Sequence, residues 1–273
     1  MLWKGGRRSS NVQDRRGMPG VGVGVAGGGL GLLILLVLSL MFGLNPGELI
    51  ESDAPPATEQ PSTQPSDEMG EFVAVVLGYT EDAWHQIFAA EGVDYPEPKL
   101  VLFSGLVQSA CGMAQSAVGP FYCPLDQSVY IDLDFYRDLR ERFGAPGDFA
   151  QAYVIAHEVG HHVQQVSGNL ERVVPNESGP GSAAVRVELQ ADCYAGVWGY
   201  YARQRGLLEP GDMEEALSAA AAIGDDRIQR QIQGQVVPES FTHGTSEQRM
   251  RWFMRGFETG DPRQCDTLSA PEL

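Results

Sequence analysis

The longest apolar stretch of the chain runs from Val21 to Leu44 and contains no charged side chain. A helix of these 24 residues is long enough to cross a bilayer. The residues before it carry one acidic side chain and five basic ones: Lys4, Arg7, Arg8, Arg15 and Arg16. By the positive-inside rule we predict a cytoplasmic N-terminus at 1–20, a transmembrane helix at 21–44, and the rest of the chain on the outer, periplasmic side of the cytoplasmic membrane.

Two alternatives concern the same stretch. A cleaved signal peptide normally has a shorter apolar region, and no A-x-A-like cleavage site follows Leu44. Gly20, Gly24 and Gly28 stand at a spacing that lets transmembrane helices pack closely, so a homo-oligomer formed through this helix is a further hypothesis.

The pattern changes twice after the apolar stretch. Residues 45–70 are rich in Pro, Ser, Thr and acidic side chains, which is typical of a solvated, disordered tether. Residues 71–273 have the apolar content of a globular domain. Apolar periodicity there predicts strands at 99–103, 120–123 and 128–133, and helices at 72–90, 135–143, from Asp148 onward, 183–205, 210–233 and 245–257. The predicted fold class is α+β, with a small antiparallel sheet packed on a helical bundle.

Charge and cysteine content narrow the choice of partners and compartment. The net charge is −17 for the chain and −21 for the residues after 44, which argues against nucleic acid as a partner. Four cysteines in an oxidising compartment favour two disulfides, with three possible connectivities. Cys111 and Cys123 bracket a short loop and are predicted to pair, which leaves Cys193 for Cys265.

The segment His157-Glu158-Val159-Gly160-His161 is an H-E-x-x-H motif inside a predicted helix. Histidines four residues apart lie on one helical face and can bind one Zn²⁺ together. Glu158 would then take a proton from a zinc-bound water and pass it to the leaving amine. Two ordinary surface histidines are the alternative interpretation of this motif.

A second helical segment carries Glu188 and, four residues later, Asp192. Catalytic zinc is commonly bound by two histidines and one glutamate, so Glu188 is predicted as the third ligand. Asp192 lies one turn further along the same face, where it can accept the free ring N–H of a ligand histidine. A metzincin site would need a third histidine shortly after His161, and the sequence lacks it.

Other candidates are weaker. His243 and Tyr130 are possible donors to the oxyanion of a tetrahedral intermediate, although Tyr130 at strand spacing is more typical of sheet packing. His162 lies around the helix from the two motif histidines and is predicted to pack rather than bind metal. Arg249 and its neighbours on the last helix are predicted to form surface ion pairs.

The chain resembles a family of neutral zinc metallopeptidases, single-pass bacterial membrane proteins within the gluzincin group. The similarity covers nearly the whole chain outside residues 45–70. The segments that carry it are residues 3–17, 119–124, 144–149, 157–162, 188–192 and 242–249.

This resemblance implies a membrane-anchored peptidase that holds one zinc ion and cleaves peptide or protein substrates. We expect the substrate to pair as an extended strand with Val129 to Asp132. A non-proteolytic, zinc-stabilised scaffold or binding module in the cell envelope is the alternative. A zinc amidase acting on cell-wall material is a variant of the enzyme hypothesis.

Overall fold

The computed structural model describes residues 1–17, 64–115, 119–170 and 178–273. The predicted transmembrane helix at 21–44 and most of the predicted tether lie outside these ranges. Within them, none of the helices combines the length and the apolar character that a membrane crossing requires.

The described residues form seven α-helices. In chain order, α1 to α7 are Glu68–Ala90, Asp134–Glu141, Asp148–Val166, Ala183–Gln204, Asp212–Ala222, Asp225–Gln233 and Ser246–Thr259. The predicted helix at 210–233 is two helices, because the chain turns at Gly224, where a side chain would strike the backbone of Ser246. The last helix begins with a capping box between Thr245 and Gln248. The side chain of each residue accepts a hydrogen bond from the backbone N–H of the other.

Six strands form two sheets among the described residues. They are β1 Val12–Asp14, β2 Lys99–Phe103, β3 Leu106–Ser109, β4 Gly112–Gln115, β5 Phe121–Cys123 and β6 Ser128–Asp132. The main sheet has the order β1-β2-β6-β5, in which only β5 and β6 are antiparallel and the other two pairs are parallel. The α+β class agrees with the prediction, but the predicted antiparallel sheet is wrong, since the helix α1 and the long connections between strands carry the chain back to the same end of the sheet.

The strand β6 lies inside the sheet, with β2 on one side and β5 on the other. Each of its five residues is buried. The expectation that substrate pairs with Val129 to Asp132 is therefore wrong, because the backbone groups of this segment already bond to two neighbouring strands.

The two faces of the main sheet pack against different layers, as the alternation of side chains along a strand requires. Leu100 and Leu102 of β2 face the core shared with the helices, whereas Val101 and Phe103 face a smaller cluster that includes Val107 of the β3–β4 hairpin.

The central part of α1 has no exposed side chain from Val73 to Leu77. The helices α1, α3 and α4 therefore form the centre of the molecule.

Helices α4 and α7 cross at glycines on both sides. A methyl group at Gly196 would lie 2.0 Å from the carbonyl oxygen of Phe253, and one at Gly256 would lie 1.9 Å from that of Cys193. The helix α3 approaches α4 in a similar way at Gly160, where a methyl group would lie 2.9 Å from the carbonyl oxygen of Ala191. These contacts bring the backbones of three helices close together around Ala191 and Asp192.

Both predicted disulfides are confirmed. Cys111 bonds Cys123 and closes the β3–β4 hairpin against β5, and Cys193 bonds Cys265 and ties the C-terminal segment to α4. No free cysteine is found in the described residues.

The N-terminal residues belong to the same folded unit as the predicted domain. Met1–Arg16 and the residues from 63 to the C-terminus form one compact unit, in which β1 pairs with β2 and Val12 is buried. Four of the five basic side chains of this segment pair with acids at or near α1. These pairs are Lys4–Glu68, Arg7–Glu81, Arg7–Asp82, Arg8–Glu71 and Arg16–Asp67.

This arrangement differs from the predicted topology, which places residues 1–20 and the domain on opposite sides of a membrane. Four of the five positive charges that suggested a cytoplasmic flank form ion pairs within the fold. Gln64 also donates to the carbonyl oxygens of Ser10 and Val12, at 3.2 and 3.3 Å, so the two ends of the segment between them meet in one unit.

We therefore predict equal access to the N-terminal segment and the domain. Leu2 and Leu125 are exposed, at 54% and 74%, and suit substitution by cysteine in separate variants. A membrane-impermeant maleimide applied to intact expressing cells should label Leu2→Cys and Leu125→Cys to the same extent relative to lysed cells. Labelling of one variant with protection of the other would contradict this prediction.

Candidate zinc site

Four side chains of α3 form a row that faces α4. They are Tyr153, His157, His161 and Gln164, spaced four, four and three residues apart, which keeps them on one side of a helix. The close approach at Gly160 lets the facing residues of α4, Glu188 and Asp192, reach this row.

The structure brings His157, His161 and Glu188 together. Each offers a ligand atom, and these atoms all lie within 4.8 Å of one another. The Nε2 atoms of the two histidines lie 3.2 and 3.5 Å from the two carboxylate oxygens of Glu188. Zn²⁺ bound tetrahedrally at about 2.1 Å requires ligand atoms about 3.4 Å apart. The three side chains therefore fit a zinc ion, with one tetrahedral position left for another ligand.

The far nitrogen of each histidine ring has a partner. Nδ1 of His157 lies 2.8 Å from Oδ1 of Asp192, and Nδ1 of His161 lies 2.8 Å from Oε1 of Gln164. A carboxylate oxygen and an amide oxygen only accept, so both Nδ1 atoms must carry the proton. In the neutral form of each ring, which is the form that binds metal, the lone pair is then on Nε2.

Gln164 is held in the orientation that this pairing demands. It is fully buried, and its Nε2 donates to the carbonyl of Val187 and to Oε1 of Gln190. Gln190 in turn donates to the carbonyl of Cys265. The Cys193–Cys265 disulfide thus fixes the position of the Cys265 carbonyl, which orients His161 through Gln190 and Gln164.

Buried charges in the site shift the pKa values of its groups. Burial alone would lower the pKa of His157, but the Asp192 and Glu188 carboxylates outweigh it and raise that pKa to about 10. Burial would likewise raise the pKa of Glu188, and the positive charge of His161 and the hydrogen bond from His157 overcome it and lower that pKa. In the metal-free protein, Glu188 is therefore anionic beside a protonated His157, and a bound metal would take the place of the proton on Nε2 of that ring.

Glu158 differs from its neighbours in that no described residue bonds its carboxylate. It is only 7% exposed, and no hydrogen bond or ion pair to its carboxylate is found in the described parts of the chain. Burial raises its pKa above the usual range of a glutamate. Burying a carboxylate without a hydrogen-bond partner lowers the stability of the fold. Its position beside the three ligand side chains therefore points to a role other than stability.

His243 lies in the loop before α7, where Asp225 organises the backbone. One oxygen of Asp225 accepts the backbone N–H groups of Thr242, His243 and Gly244, and the other lies 3.4 Å from Nδ1 of His243. The bond to Asp225 raises the pKa of His243, and Glu188 adds to the effect across the site. The imidazole is half exposed, and its charge helps to lower the pKa of Glu188.

Two other candidates lie away from these side chains. Tyr130 donates to Asp126 and stacks on Phe121 at the hairpin face of the sheet. His162 is fully buried, with Nε2 2.6 Å from the carbonyl oxygen of Pro96 and Nδ1 3.0 Å from the Tyr122 hydroxyl. It links α3 to β5, as its place on the far side of the helix predicts.

A second group of acidic side chains lies where α3 begins. It consists of Asp148 of α3 and of Asp212 and Glu215 of α5. The α-amino group of Met1 lies 2.6 Å from Asp148 and 3.2 Å from Asp212, and Glu215 accepts the backbone N–H of Phe149. These carboxylates thus already have partners that neutralise or bond them.

Sequence reasoning missed three side chains of the site. Arg249 is not a surface residue: it is 2% exposed and bonds both oxygens of Asp192. Tyr153 donates to Oδ1 of the same carboxylate at 2.5 Å. The helical spacing of Tyr153 and Gln164 relative to His157 and His161 could have indicated these two, but no local pattern identifies Arg249.

Comparison with known proteins agrees with this site. A family model described as "putative neutral zinc metallopeptidase" matches residues 1–268. The chain is 50% identical to Uncharacterized protein YpfJ of Escherichia coli K12 in an alignment of 285 positions. The alignment covers 98% of this chain and 99% of that protein.

It is also 52% identical to Uncharacterized protein Rv2575 of Mycobacterium tuberculosis H37Rv over 190 residues, 66% of this chain and 65% of that protein. No solved structure matches the chain. With a family match over nearly its whole length, the chain belongs to the neutral zinc metallopeptidase family.

Proposed function

We propose that the protein is a zinc-dependent peptidase that holds one Zn²⁺ through His157, His161 and Glu188. The distances between the three side chains and the fixed proton positions on both rings support this ligand set. The membership of the chain in a family of zinc metallopeptidases supports zinc as the metal.

The observation that carries the catalytic function is the free carboxylate of Glu158. A scaffold that uses zinc only for stability gains nothing from a buried, unpartnered acid beside the metal ligands, and it bears the cost of burying it. A hydrolase needs a proton acceptor there, and burial raises the pKa of Glu158, which makes its carboxylate a stronger base.

The roles of the protein groups follow from their positions. When bound, Zn²⁺ acts as a Lewis acid and makes a water molecule more acidic. Glu158 accepts the proton of the attacking water and delivers it to the leaving amine. His243, oriented by Asp225, is half exposed on the side of Glu188 and serves as donor to the oxyanion that forms on the substrate carbonyl.

Substrate is proposed to be a peptide or protein bound in an extended conformation. The strand β5, Phe121–Cys123, is the end strand of the main sheet and the one that bonds α3, through Tyr122 and His162. Its outer edge replaces Val129 to Asp132 as the place where a substrate strand can pair.

We further propose that the folded unit works in an oxidising compartment outside the cytoplasm. The two disulfides support this location, because such bonds seldom persist in reducing compartments. If the apolar stretch at 21–44 contacts lipid, both of its flanks lie on the side of the folded unit.

Replacing Glu158 by glutamine should separate metal binding from turnover. The amide is of the same size and cannot accept the proton, so we expect peptidase activity to fall about 100- to 10,000-fold or more while zinc stoichiometry stays at the wild-type value. Glu214→Gln is the matched control, since Glu214 is exposed on α5. Wild-type turnover by Glu158→Gln would exclude Glu158 as the base, and no activity in any variant or in wild type would favour the scaffold alternative.

Replacing His243 by glutamine should lower kcat about 100-fold with little change in zinc content, because the donor acts on the charge that develops during the reaction. His85→Gln is the control: His85 is about half exposed and paired with Glu97 on another part of the molecule. Steady-state kinetics on a common peptide substrate measure the effect. An unchanged kcat would show that His243 only anchors its loop.

A further inference from the structure

Arg249 is a charged side chain in the centre of the protein. It projects from α7 and is 2% exposed. Its Nε donates to Oδ2 of Asp192 and its Nη2 to Oδ1, both at 2.9 Å, so the two planar groups meet in a bidentate pair. The surface role predicted from sequence does not describe it.

We propose that Arg249 is a positioning residue for the metal site, which acts through Asp192 to hold His157 with Nε2 directed at the metal position. This inference rests on the proposed zinc site. The helix α7 supplies none of the proposed ligands, yet through Arg249 it would influence how tightly His157 binds zinc.

The Asp192 carboxylate has no freedom to turn. Its Oδ1 accepts from Nδ1 of His157, from the Tyr153 hydroxyl and from Arg249, and its Oδ2 accepts from Arg249. Among the described residues, only Arg249 bonds both oxygens, so it sets the plane of the carboxylate. That plane decides where Oδ1 stands, and Oδ1 fixes the ring of His157.

The guanidinium is itself fixed on other sides. Its Nη1 donates to the carbonyl of Ile223 at 3.2 Å, and its Nη2 donates to the hydroxyl oxygen of Tyr153 at 3.3 Å and lies 3.4 Å from Nδ1 of His157. The backbone contacts at Gly196 and Gly256 fix the distance from which it reaches Asp192. Arg249 is therefore a rigid support and not a mobile counter-charge.

Charge provides the second part of the effect. Asp192 is completely buried, and Arg249 lies 2.9 Å from each of its two carboxylate oxygens. Without the guanidinium, the buried carboxylate would lose its principal counter-charge, and removing one partner of such a pair is strongly destabilising. Lysine keeps the charge but cannot bond both oxygens in one plane.

The test measures zinc binding rather than activity. We expect R249M to weaken the zinc dissociation constant, measured by chelator competition, about 10- to 100-fold, the range known for residues that support a ligand. R249K should lose about threefold to tenfold, because it restores the charge and only one of the two bonds. Arg251 lies on the same helix but is exposed and paired with Glu247, so R251M should match wild type.

A double-mutant comparison tests the route through Asp192. If Arg249 acts through that carboxylate, R249M added to D192N should change zinc affinity less than about twofold, far less than R249M alone. The visible spectrum of the Co²⁺-substituted protein should also differ between wild type and R249K, since it reports ligand geometry. Circular dichroism on each variant restricts the comparison to folded protein.

Each result decides the proposal. Wild-type zinc affinity and an unchanged Co²⁺ spectrum in folded R249M, or in R249K if R249M does not fold, would overturn it. An equal effect of R249M in the wild-type and D192N backgrounds would also overturn it. A wild type that binds no zinc would instead contradict the proposed function, and the inference would end with it.

Discussion

The site depends on how closely three helix backbones approach. Side chains at Gly160, Gly196 or Gly256 would collide with the backbone of a neighbouring helix, so only glycine allows α3, α4 and α7 to meet there. At this distance short acidic side chains of α4 reach the histidines of α3, and an arginine of α7 reaches α4 from the other side. The metal ligands themselves contribute little to this geometry; the packing of the helices sets it.

The same packing explains how so many charged groups are buried together. Asp192, Arg249 and Glu158 are nearly or completely inaccessible, and buried polar side chains such as His157, Gln164 and Gln190 lie in the same region. Buried charges are tolerated when partners surround them, and within the described part of the chain each of these groups except Glu158 has partners. The exception marks the place where chemistry is expected, next to a metal that would supply the missing positive charge.

Sequence reasoning recovered the parts of the structure that local spacing encodes. The H-E-x-x-H motif, the glutamate and aspartate four residues apart, the capping box and the short cysteine loop each depend on neighbours along the chain. Arg249 could not be recognised, because its burial results from a helix crossing between distant segments. The parallel pairing of β1 with β2 was missed for a similar reason: charges at 4–16 resemble a membrane flank until their acidic partners on α1 are known.

The most direct test of a zinc site at this helix crossing is anomalous X-ray scattering at the zinc edge from crystals of the zinc-loaded full chain. The structure predicts one strong peak, within bonding distance of Nε2 of His157, Nε2 of His161 and the Glu188 carboxylate. A peak elsewhere, for example among Asp148, Asp212 and Glu215, with none at the two histidines, would contradict it.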